Sequence, residues 1–264
     1  GEELAAGAGR TLVSVEFQEH LRGRFNPRKN ADDKVHTLWI VGPQEEVCGP
    51  WLERYIAQVV LETKHPGAAP KWALEGISGQ HDSPALKQQR QQVLLWFSRN
   101  GRWPELHRLL REQELDTADR AALVAAPAVV EFLASLGGKE KVAHWLAASE
   151  ANGWSTTLRQ HDHIDDAAEL QSKGQTWSTS SVADVRPDAE NYGPAIYIDW
   201  HHRGASSRSE NFTVYAPDRE MAVEILKDAE RLREEIAIEW LGEPLPPGVG
   251  RAVISVKLVP DQDR

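Results

Sequence analysis

The chain holds ten histidines, forty carboxylates and one cysteine, and few of them are spaced closely enough to act together. His161-Asp162-His163, followed by Asp165 and Asp166, has the composition of a metal site, because imidazole nitrogen and carboxylate oxygen are ordinary ligands of divalent ions. His201-His202 ends a strand-like run beside Arg203 and Gly204 and reads as a surface turn. Cys48 precedes Gly49-Pro50 at a helix start, where the helix dipole is expected to lower a thiol pKa. With no histidine assigned as its base, a cysteine nucleophile is not the reading. No GxSxG, Walker or glycine-rich dinucleotide fingerprint is present. Asn211-Phe212-Thr213 fits a glycosylation acceptor, but it falls inside a strand pattern.

Composition limits what these residues can serve. At 264 residues, 41% hydrophobic and 27% charged, the chain can bury a core without disulfide or metal staples. A formal net charge of −10 gives no footprint for a phosphate backbone, so nucleic acid is not an expected partner. A single cysteine excludes an intrachain disulfide and a cysteine-rich zinc cluster. The apolar run Ala121 to Ala128 is too short to span a bilayer, and Gly1-Glu2-Glu3-Leu4 has no basic leader, so a mature or trimmed chain with no membrane insertion is expected. The ten tryptophans are spread from Trp39 to Trp240 and read as packing anchors rather than a stacking platform.

The elements that position the candidates follow from periodicity. Thr11 to Phe17 and Lys34 to Val41 alternate apolar with polar residues and read as strands, with Glu19 to Asp33 a surface loop between them. From Gln44 the period becomes helical (Val47, Trp51, Tyr55, Val59) and stops at Pro66-Gly67; Pro70 opens a short helix, KWALEGIS. Ser83 to about Lys173 reads as helices: one from Ser83-Pro84 through Trp96, one from Trp103-Pro104, one from Thr117, one from Pro127 to Leu136, one from Lys139 to Ala151 and one from Asp165 to Lys173. Gly174 to Pro194 has linker composition. Strands Ala195 to Trp200 and Asn211 to Ala216, a helix Asp218 to Leu241 and a strand Arg251 to Val259 complete the chain. The expected organisation is α/β over 1–80, all-helical over 81–173, linker over 174–194 and β-β-α-β over 195–264.

The stretch Arg54 to Ser78, RYIAQVVLETKHPGAAPKWALEGIS, resembles the core of gluzincin-type (peptidase-MA-like) zinc metallopeptidases, in particular a bacterial group with HExxH-VVLA on one helix and PRWxxEG on the next. In that family two His four apart and a Glu on the second helix bind zinc, and the Glu after the first His is the general base. The match covers Val59-Val60-Leu61-Glu62-Thr63 and Pro70 to Gly76, and it places Glu75 at the third-ligand position. It also places Arg54 at the first His, Tyr55 at the base and Gln58 at the second His, so HExxH is replaced by Arg54-Tyr55-Ile56-Ala57-Gln58. A protonated arginine does not bind zinc. The resemblance therefore implies no catalytic residue and no cofactor. Glu75 is expected to pair with Arg54 where the metal would sit, with zinc on Glu75 as the alternative. By the same comparison, His161 to Asp166 falls at an ordinary turn before a capped helix.

Residues Pro127 to Trp177 resemble the helical tail of that group. Ser209 to Leu258 resembles the segment that lies upstream of its zinc helix, yet here comes last. A circular permutation, natural or engineered, restores the family order through residues 260–264 and Gly1, with 174–194 bridging the old termini; a segment of a tandem array is the other explanation. Permutation requires Val253 to Leu258 and Leu12 to Phe17 to share one sheet. The expected fold is α+β: a zincin-like mixed sheet packed on helices of the active-site type, with an all-helical subdomain. The function implied is that of a pseudo-peptidase, binding or scaffolding a peptide or protein segment in the former substrate cleft. A metal-dependent hydrolase using Glu75 with His65, His81 or the His161/His163 pair is the alternative, and a repeat unit of a larger surface protein follows from the tandem-array reading. Relatives of this type are commonly exported.

Overall fold

The computed structural model describes residues 24–26, 36–65, 70–99, 120–153, 167–180 and 204–258, with isolated positions at 101, 103, 109, 156, 157, 159 and 160. Its architecture is α+β. The strands are β1 (Arg24–Asn26), β2 (His36–Gly42), β3 (Ala205–Arg208), β4 (Phe212–Ala216) and β5 (Ala252–Leu258). They form one mixed sheet in the order β1-β2-β5-β4-β3. The three central strands run parallel, with His36 opposite Ala252 and Phe212 opposite the same residue, and the two edge strands are antiparallel to their neighbours.

Alternation sets the buried face. Leu38 and Ile40 of β2, Ala252, Ile254 and Val256 of β5, and Phe212, Val214 and Ala216 of β4 are all buried in one core. That core is shared with helices α2 (Pro50–Lys64) and α8 (Arg219–Leu241); α8 packs on β3, β4 and α2. Helix α8 is the crossover joining parallel β4 and β5. Its start is fixed by the Asp218 side chain, which accepts from Met221 N–H at 2.9 Å, and it stops at Gly242. Met221, Ile225, Ala229, Leu232, Ile236 and Trp240 repeat at helical spacing on its buried side. Arg233 on the same helix is buried and donates to the carbonyls of Leu245, Pro246 and Val249 at 3.2, 2.7 and 2.9 Å, which holds the turn into β5; burial lowers its pKa. Asn211 and Glu230 brace the same turn: Asn211 Nδ2 donates to Glu230 Oε2 at 2.7 Å, and Asn211 Oδ1 accepts from Gly248 N–H at 2.8 Å.

The remaining helices are α1 (Gln44–Val47), α3 (Lys71–Ser78), α4 (Pro84–Arg99), α5 (Arg120–Gly137), α6 (Lys139–Asn152) and α7 (Ala167–Ser180), with a 3-10 turn η1 (Gly79–His81) after α3. Helix α3 packs closely on α5, where a Cβ added to Gly76 would lie 2.4 Å from Val130 Cγ2 and 2.8 Å from the Ala126 carbonyl oxygen. Gly76→Ala is therefore expected to destabilise by about 2 kcal/mol in urea unfolding, although alanine at an unconstrained helix position would stabilise by about 1 kcal/mol. A stabilised variant would show that the seam opens freely. Trp72, Trp145 and Trp240 are fully buried, in keeping with their reading as anchors.

Several elements differ from the sequence reading. The loop 19–33 contains β1, bounded by Gly23 and Pro27, and β3 forms beyond the strand pattern read at 195–200. The helix read from Gln44 is two helices, because Pro50 has no N–H to continue α1 and Gly49 takes φ −128°, ψ −118°. Pro127 does not start a helix: it lies inside α5, at a cost of about 3 kcal/mol that apolar burial of Ala125, Ala126, Val129, Val130 and Leu133 offsets. The Pro127 carbonyl accepts from Gln80 Nε2 at 2.8 Å, and its ring lies over Gly79. Helix α7 continues past Lys173 to Ser180, with Gly174 buried beside Phe132. The readings on 11–17, 104, 161–166, 181–194 and 195–202 lie outside the described residues.

Candidate functional site

Helix α2 carries Arg54 and Gln58 four positions apart, hence on one face. Helix α3 carries Glu75 opposite them. Arg54 Nη2 forms an ion pair with Glu75 Oε2, and Gln58 Nε2 donates to Glu75 Oε1 at 3.3 Å, so both α2 side chains hold the same carboxylate. Gln58 Nε2 also lies 3.2 Å from Ser78 Oγ, which donates to the Glu75 carbonyl at 3.3 Å. These contacts lock α2 to α3.

A second carboxylate completes the arrangement. Asp82, directly after η1 and with only 1% of its side chain exposed, accepts from Arg54 Nη1 at 3.0 Å through Oδ1 and 2.9 Å through Oδ2. Arg90 of α4 pairs with Asp82 Oδ2 through Nη2 and donates to the Gly79 carbonyl at 3.2 Å through Nη1. Two guanidinium groups and two carboxylates thus balance in charge, and each carboxylate oxygen accepts a hydrogen bond from a guanidinium or from Gln58. A buried charge persists only when it is paired and hydrogen-bonded, and this network meets both conditions.

Tyr55, the residue between Arg54 and Ile56, packs in the core cluster. His81 closes η1 with its Nδ1 3.7 Å from Glu53 Oε2, and burial pushes its imidazole down to about 4. His65 caps the far end of α2, eleven residues and roughly 16 Å along the axis from Arg54. Cys48 departs from expectation: burial raises its pKa, and Glu224 and Asp228 add to the rise, outweighing any effect of the helix start. The side-chain amide of Asn211 is buried against Glu230 rather than presented for glycosylation. No family model, curated protein or solved structure matches the chain. Among the described residues, no three His, Cys, Asp or Glu side chains converge where a metal ion could sit, and no helix is long and apolar enough to cross a membrane.

Glu75, Arg54 and Gln58 were reached from the sequence through the resemblance to the gluzincin-type core. Asp82, Arg90 and Ser78 were not. Asp82 lies 28 positions from Arg54 in a connecting turn, and its only sequence signal is the Asp-Ser-Pro that precedes α4.

Proposed function

We propose that the chain is a pseudo-peptidase of the gluzincin type, a non-catalytic domain that works by binding or scaffolding. The observation that carries this reading is the convergence of Arg54 and Gln58, at i and i+4 of one helix, on Glu75 of the next. Side chains at those three places are disposed as the two histidines and the glutamate of such a zinc site would be. The residues present do not suit the metal: a guanidinium cation lies between the two carboxylates where zinc would sit. The reading further takes the sheet as zincin-like and the chain order as circularly permuted. It is supported by β5, from the back of the chain, lying between β2 and β4 in the sheet beside α2. The partner is a peptide or protein segment that adds in extended form along an edge strand of the former substrate cleft.

Metal content tests the reading. Wild type and Glu75→Ala, each equilibrated with zinc and desalted, are expected to hold less than about a tenth of an equivalent by elemental analysis. One equivalent in wild type that is lost in the variant would overturn the proposal and point to a metal-dependent hydrolase using Glu75. The double variant Arg54→His/Gln58→His is expected to gain about one zinc per chain if the three positions converge as argued. A folded double variant without zinc would count against the gluzincin-type disposition.

A further inference from the structure

His81 sits at the end of η1, where the chain turns from α3 toward α4. Its side chain is only 11% exposed, and its Nε2 is buried without a hydrogen-bond partner among the described residues. Charges face it from several elements: Glu53 from α2, Asp82 beside it, Lys87 from α4, Lys139 from the start of α6 and Glu239 from the end of α8. Lys139 and Glu239 are themselves an ion pair, 2.5 Å apart, with Lys139 Nζ 5.2 Å from the centre of the Trp240 ring, so α6 and α8 are joined at this point. Helix α5 meets η1 through Pro127, packed on Gly79.

We propose that His81 is an acid-sensitive pin: in its neutral form it lets η1 seat between α2 and the α6–α8 contact, and its protonation opens that joint. The physical ground is the unpartnered Nε2. A proton placed there creates a charge in a buried position with no acceptor, while Asp82, the nearest carboxylate in sequence, is already engaged by Arg54 and Arg90. Desolvation disfavours the proton most, Lys139 and Lys87 oppose it too, and Glu239 and Asp82 favour it without making up the difference. Once the joint opens, the imidazole meets water and regains its ordinary affinity for a proton. Protons therefore bind the open form more tightly, and opening is promoted as pH falls below about 6.5. The consequence reaches the candidate site, since η1 carries the chain from Glu75 to Asp82.

Hydrogen exchange on the full chain tests this, at pH 7 and pH 5 with rates corrected for the chemical effect of pH. At pH 5 carboxylates at ordinary values remain ionised, so general acid unfolding is kept apart from the effect of His81. In wild type the opening constant for peptides covering 79–82, 139–145 and 236–241 is expected to rise about twentyfold from pH 7 to pH 5, while β4 and β5 keep their protection. His81→Leu, which cannot take a proton, is expected to show no such rise. The same rise in that variant, or a rise spread evenly through the sheet, would overturn the proposal. Should His81→Leu fail to fold, Lys139→Met removes a cation that opposes protonation, and the pH midpoint of opening is expected to move upward. An unmoved or lowered midpoint would count against the pin.

Discussion

Replacing Arg54 with methionine is expected to lower the free energy of unfolding by about 3–5 kcal/mol, measured by urea denaturation followed by circular dichroism. A typical domain has only about 5–15 kcal/mol in all, so the loss is a large share of its stability. The cost does not come from a strong attraction given up. It comes from what remains: Asp82, almost wholly buried, loses both hydrogen bonds from Arg54 Nη1, and among the described residues Glu75 keeps only Gln58. Arg54→Lys is expected to recover little, because a single ammonium cannot span both carboxylates as the planar guanidinium does. Arg54→Met/Glu75→Gln removes one of the stranded charges and is expected to regain part of the loss. A single-variant loss below about 1 kcal/mol would mean that water enters and solvates the carboxylates, and that the network contributes as little as an exposed ion pair.

Gly250→Ala is expected to cost about 3 kcal/mol or more, for two reasons that act together. Gly250 has φ +71°, where a Cβ costs about 1–2 kcal/mol. A Cβ at that position would also lie 1.9 Å from Thr63 Oγ1 and 2.7 Å from Thr63 Cβ, atoms close to the backbone of α2 that cannot swing aside. Gly248→Ala is the control. It shares the backbone strain, with φ +73°, but its nearest neighbour is the end of the Glu210 side chain at 3.2 Å, so only the smaller cost of about 1–2 kcal/mol is expected. Equal losses in thermal or urea unfolding would show that α2 yields to the strand entry and that the close approach carries no weight.

The elements legible in the sequence were those whose own residues define them. Strands β2, β4 and β5 alternate, and α8 carries its cap at Asp218 and its stop at Gly242. The edge strands were not legible, because three residues at 24–26 and four at 205–208 are too short to show a period and are held by register with β2 and β4. The continuous α5 was missed because Pro127 is a strong local breaker, and the apolar packing that overrides it is tertiary. At the site, the pairing of Glu75 with Arg54 was expected from the resemblance to the zinc-peptidase core and is observed. The half built on Asp82 and Arg90 depends on how η1 folds back against α2, which spacing does not encode.

The central place of β5 has a consequence for the newly made chain. His36 pairs with Ala252, more than 200 positions later, so the middle strand of the sheet is the last of the described strands to leave the ribosome. At typical elongation rates β2 and the apolar side of α2 wait about 10–40 s for the neighbour that covers them. Through that interval the nascent polypeptide presents an open strand edge beside a hydrophobic helix, the kind of surface that chaperones hold and that neighbouring chains on one messenger can join. The pace of translation thus bears on how the finished sheet is reached, alongside the depth of the finished energy minimum.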